Sequence, residues 1–242
     1  MNTPVIPIGK AGETILQSRP NLYAPIHKAL RLMMCETLVE VGQLDLDDRQ
    51  ARDSTLAAVR ALLDACRAHV GHENDHIHPA IEAVTVGGSQ RVANDHVEHL
   101  DAIAMLSDEL EALAETPDPL AAHAFYLHLS TFVAENFVHM RVEETAHNAL
   151  LWRGYDDQGL HAIHDRLLAS IPPQEMMASV HWMLRAASAA ERSAMLLDMQ
   201  QGMPREAFAQ VLRMIRPHLE TAESDRLAWT LALDALQRRQ AA

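Results

Sequence analysis

The chain has 242 residues, 48% of them apolar, with 20 Lys plus Arg against 33 Asp plus Glu and a formal charge of −13 when histidine is neutral. That length and apolar share suffice for a sizeable core and argue against disorder, and an acidic chain with no basic block repels nucleic acid. No apolar run reaches the roughly 18 residues that cross a bilayer, and the N-terminus lacks a charged segment leading into a long apolar run, so a soluble cytoplasmic protein with no membrane partner is expected.

Ala, Leu, Met and Glu are abundant and β-branched residues few, which reads as all-α. Residues 1–20 form an expected N-terminal arm ending at Pro20. Asn21 is a candidate helix cap; His27, Leu30, Met34, Leu38 and Val41 then recur at helical spacing until Gly42 stops the first helix. Asp47 and Asp48 open the second, whose stripe runs Leu56, Val59, Leu62, Leu63, Cys66, His69 and Glu73; Pro79 ends or bends it. The third has a clean seam of Val92, His96, His99, Ile103, Leu106, Leu110 and Leu113, closed by Thr116-Pro-Asp-Pro119. The fourth carries Phe125, Leu129, Phe132, Asn136, His139, Glu143, Ala146 and Leu150.

In an up-down four-helix bundle the polar ends of these four seams fall at one pole. Residues 21–155 would form that bundle and 156–242 a C-terminal helical extension, with helix starts at Asp157, Pro172-Pro173, the capping box Ser188-Ala-Ala-Glu191, Pro204 and about Thr221. Cys35 and Cys66 both lie inside apolar helical patterns and read as small core residues.

The chemistry concentrates in residues 69–79, His-Val-Gly-His-Glu-Asn-Asp-His-Ile-His-Pro. His69 and Glu73 stand four apart on one helical face, and the arrangement returns as His139-Met-Arg-Val-Glu143. His27, His69, Glu73, His96, His99, His139 and Glu143 would place seven polar groups at one end of one core. Each is costly there unless paired. A closed hydrogen-bonded histidine network is one solution; a metal pair satisfies all seven together. The donor set is nitrogen-rich with two carboxylates and no thiolate, which suits Fe, Zn or Mn, and Glu73 and Glu143 would bridge the pair. A structural zinc bundle is the plainer alternative. His72 and His76 could join the site, whereas His78 reads as packing and Glu144 as a solvated acid. His161, His164, His181 and His218, with no paired acid on a core seam, read as surface or structural.

The ordered set resembles the hemerythrin-like (HHE cation-binding) proteins. The resemblance is carried by His27-Lys-Ala-Leu-Arg31, His69-Val-Gly-His-Glu73 through Pro79, Asp95-His96-Val-Glu-His99, and His139-Met-Arg-Val-Glu143-Glu144, across roughly residues 20–155. It implies a four-helix bundle around a non-haem di-iron centre, and hence iron. Oxygen-carrying members have His-x-x-x-His on the third helix and His with Asp five on in the fourth. This chain offers His-x-x-His and His-x-x-x-Glu instead, a form similar to bacterial and regulatory relatives, some of which carry a comparable C-terminal extension. The expected function is binding of dioxygen or a related small ligand (NO, peroxide) for sensing, handling or oxidation. A di-iron oxidase or peroxidase acting on an organic substrate is the first alternative. An iron-storage or redox-regulatory protein is the second, acting through a protein partner or as a homodimer via the C-terminal helices.

Overall fold

The computed structural model describes residues 19–241, with side chains described through residue 232. The expected arm lies almost wholly outside the described residues. The described chain is all-α, a helical bundle with further C-terminal helices and no strand among the described residues. The described residues fall into two compact units, 19–24 with 40–170 and 25–39 with 171–241.

Capping places the helices where the sequence suggests. Asn21 Oδ1 accepts from the amides of Tyr23 and Ala24 at 3.0 Å each, opening α1 (Ala24–Gly42). Asp48 accepts from Ala51 N and opens α2 (Arg49–His72); Asp118 does the same for Ala121 N and α5 (Pro119–Val142), with Pro119 in the first turn where its missing N–H costs nothing. At Gly87, φ is +75°, a left-handed turn before α4 (Gln90–Glu115) that favours glycine.

Two helices that look continuous in sequence are interrupted. After α2 the chain makes a π-turn, Glu73–Ile77, before α3 (His78–Val84); after α5 it makes a second, Glu143–His147, before α6 (Asn148–Gly154). In each turn a backbone N–H reaches back five residues, His78 to Glu73 O and Asn148 to Glu143 O. Pro79 explains the first: it cannot donate, and its ring crowds the carbonyl four residues back. It bends the helix without ending it. At the second, the Thr145 hydroxyl donates to Arg141 O at 2.7 Å, competing for the carbonyl an α-helix would give to the Thr145 amide.

Within the first unit α4 packs against both α2 and α5, α3 against α6, and α7 (Asp157–Ser170) against the first π-turn. The inward faces of α2, α4 and α5 are the predicted stripes, and Leu62, Leu106 and Leu129 are fully buried. A satellite core of Tyr23, Ile77, Ile81, Leu151, Leu160 and Ile163 sits under the π-turns. Its rim is tied by Trp152 Nε1 donating to Pro20 O and the Tyr155 hydroxyl donating to Ala80 O.

The second unit has its own core, including Leu184, Leu196, Val211 and Ile215, from α8 (Pro173–Ala186), α9 (Ala189–Gly202), α10 (Arg205–Ile215) and α11 (Thr221–Ala241). The capping box at Ser188 and Glu191 forms as read from sequence. Arg185 pairs with Glu36, and Lys28 with Glu191, within this unit. One expectation is corrected: Cys66 is buried, but Cys35 is exposed, because it falls off the stripe that buries Leu30, Met33, Met34 and Thr37.

Candidate metal centre

The two π-turns begin at the two buried carboxylates, Glu73 and Glu143. In an α-helix a residue five positions on lies about 140° round the axis and leaves the face it started from. The extra residue in each π-turn brings the chain back, so that Glu73 and His78 are both buried on one side, and Glu143 and Asn148 on the other. Such turns occur often at functional sites.

Four buried groups converge between α2, α4 and α5. The ligand atoms of Glu73, His96, His139 and Glu143 all lie within 4.8 Å of one another, and those of His69, Glu73 and Glu143 form a second such set. His69 Nε2 is 3.2 Å from Glu73 Oε1, and His96 Nε2 is 3.3 Å from Glu73 Oε2. His139 Nε2 is 3.3 Å from Glu143 Oε2, and His96 Nε2 3.6 Å from Glu143 Oε1. Each carboxylate thus receives imidazoles from two helices, the arrangement that lets carboxylates bridge two cations.

The far sides of the rings are held by oxygen. His96 Nδ1 donates to Asn74 Oδ1 at 2.8 Å, and His139 Nδ1 to Asp95 Oδ2 at 3.3 Å. A proton held at Nδ1 leaves Nε2 as a lone pair in the neutral ring. The two Nε2 atoms then face each other at 3.2 Å with a carboxylate on each side. Two lone pairs at that separation require a cation or a proton between them. The residues present therefore fit a metal, with two imidazole nitrogens and two carboxylates aimed at one buried point.

The electrostatics say the same. Burial, then the neighbouring Glu143, pushes the Glu73 carboxyl well above the usual carboxylate range. Burial, then the charges of Glu73 and Glu143, raises the Tyr23 phenol as well. Burial also acts on His139 to lower it, but the hydrogen bond and charge of Glu143, with Asp95 behind, win and raise it. His99 and His78 are each lowered to about 4, mainly by burial and then by neighbouring imidazoles, so both are neutral at pH 7. Two anions without water are costly, and a divalent cation offsets them directly.

Of the seven candidates, Glu73, His96, His139 and Glu143 come together with His69. His27 is fully buried on α1, in the segment that belongs to the second unit. His99 stands apart from these sets: three residues after His96, it turns its ring edge-on to His139, with centroids 4.6 Å apart, and to Phe132. His161 and His218 are exposed and His181 half-buried, as read from sequence.

Sequence reasoning missed His147, Asn74, Asp95 and Tyr23, and read His78 as packing only. His78, Glu143 and His147 form a third set whose ligand atoms lie within 4.8 Å of one another. The signal for His147 was present as His139-x-x-x-Glu143-x-x-x-His147, four and four. For His78 none existed, since a period of 3.6 from Glu73 puts it outside.

The fold and centre define a helical cation-binding protein. The hemerythrin HHE cation binding domain matches residues 24–150, more than half the chain, and the chain belongs to that family. No curated protein and no solved structure matches it.

Proposed function

We propose that this is a non-haem di-iron protein whose buried centre takes dioxygen or a related small ligand, NO or peroxide, for sensing, handling or oxidation. Five residues of the first unit would hold the metal, His69, Glu73, His96, His139 and Glu143, with His99 packed against His139; His27 is a ligand by the sequence pattern alone. The observation that supports this most is the facing Nε2 pair of His96 and His139, 3.2 Å apart between two buried carboxylates. When bound, an iron pair supplies an open coordination position and electrons for a small oxidant. The chain's own part is to orient the imidazoles through Asn74 and Asp95, and to exclude water through Leu129, Phe132 and Ile103, all buried.

A cavity of about 340 Å³ is lined by Val41, Gly42, Leu46, His123 and Tyr126. Tyr126 is 13 residues before His139 on α5, about 20 Å along the axis at 1.5 Å per residue. That distance separates the cavity from the centre. No helix among the described residues is long and apolar enough to cross a membrane. The reading places the protein in the cytoplasm and makes residues 21–155 the metal module. It gives the extension, where Trp229 is 68% exposed, the role of meeting a protein partner or second copy.

The test is anaerobic iron loading of the full chain. Two Fe per chain are expected, with iron(III) charge-transfer absorption appearing when air is admitted. A chain that retains no stoichiometric iron overturns the reading.

A further inference from the structure

We propose that His78, His147 and Glu143 form a third cation position at the same pole, for a borderline divalent ion such as zinc, held in addition to the pair. This rests on the di-metal reading, since Glu143 is shared. The ligand atoms of the three residues lie within 4.8 Å of one another and all three side chains are buried. His78 Nε2 is buried with no hydrogen-bond partner, although the residue is only 7% exposed. A neutral imidazole nitrogen left in that state loses its hydration and gains nothing back. A cation at that nitrogen removes the deficit.

The second nitrogen is prepared in the same way as those of the pair. Asn74 holds Nδ1 of His96, Asp95 holds Nδ1 of His139, and the Tyr23 oxygen lies 3.1 Å from Nδ1 of His147. When His147 Nδ1–H donates to that oxygen, Nε2 becomes the ligating atom, as it is in the other two rings. The His78 ring stacks on His96 with centroids 4.9 Å apart and meets His147 edge-on at 5.6 Å, which fixes both orientations. Two imidazoles and one carboxylate oxygen make a three-residue site with open positions, the donor pattern of catalytic zinc and non-haem iron centres. His78 reaches the pole only because of the π-turn before it, while His147 stands four residues after Glu143 on the face that any helix would give it. The distortion between Glu73 and His78 thereby gains a purpose that the pair alone does not require, because Glu73 precedes the extra residue.

The experiment uses the full chain and zinc alone. Metal-free protein is titrated with Zn²⁺, the bound metal is counted, and crystals of the zinc form give anomalous difference maps at the zinc edge. Three peaks are expected at the pole, one beside His78 Nε2, and the His78→Ala and His147→Ala chains each lose that peak and one equivalent while keeping the other two. Two peaks at Glu73, His96, His139 and Glu143, with none near His78, overturn the third position and leave the pair standing. No zinc at the pole overturns both. The wild-type map decides the matter even where a variant fails to fold.

Discussion

Asp95 touches no predicted ligand atom, yet replacing it should weaken metal binding. Its carboxylate is about one-third exposed and accepts from His139 Nδ1 at 3.3 Å. Removing the partner that orients a ligating imidazole costs 10–100-fold in affinity as a rule, about 1.4–2.7 kcal/mol at 1.36 kcal/mol per decade. The bond is long and partly solvated, so Asp95→Ala belongs at the lower end, about tenfold or ~1.4 kcal/mol. Asp95→Asn keeps an oxygen acceptor and should recover most of that loss. Metal-free Asp95→Ala should lose only about 0.5–1.5 kcal/mol of folding stability, the cost of the acceptor for the buried His139 Nδ1–H, since the side chain fills no core volume. Competition for Fe²⁺ against a chromophoric chelator, without oxygen, measures the affinities; denaturant unfolding checks the fold. Equal affinity for wild type and Asp95→Ala refutes the reasoning, and with it the claim that Nε2 of His139 is turned inward by a proton held at Nδ1.

Gly154→Ala should destabilise the protein although alanine is the better helix former by about 1 kcal/mol. A Cβ there would stand 3.0 Å from both Val84 Cβ and Cγ1, and overpacking of about 1–3 kcal/mol exceeds the gain; a higher melting temperature contradicts this. Glu191 is held down to about 2, first by the hydrogen bond from Lys28 and then by those from Ser188. A carboxyl lowered on folding stabilises fully above its ordinary value near 4.5 and loses that contribution as pH falls toward 2. The melting-temperature gap between wild type and Glu191→Gln should therefore be constant above pH 5 and close between pH 4.5 and 2, and a gap that widens on acidification contradicts it. Burial pushes the Cys66 thiol up to about 12, whereas Cys35 is exposed, so a thiol reagent should label one cysteine in folded protein and two after denaturation. Rapid labelling of both in the native state would show the core open at Cys66.

The stripes of α2, α4 and α5 were legible in the sequence because burying one face imposes a 3.6-residue period, and each polar break in that period costs free energy unless matched. His69, Glu73, His96, His139 and Glu143 stood out as such breaks, and their common pole followed from helix direction alone. Asn21, Asp48 and Ser188 were readable as caps because their side chains satisfy amides only two or three residues away, and Asp118, read only as part of a break, caps in the same way. What lay beyond the sequence depends on where the period fails. A π-turn inserts one residue and rotates everything after it, so His78 turned inward against the reading of a straight helix. Asn74, Asp95 and Tyr23 act through Nδ1 atoms of rings on other elements or distant turns, and no local spacing encodes that. Cys35 was misplaced for the opposite reason: a position beside a buried stripe and a position on it differ by one residue, and only packing chooses between them. Local sequence thus determined which groups had to be buried and matched, while tertiary structure decided which atoms meet, because coordination depends on rotations of a fraction of a turn.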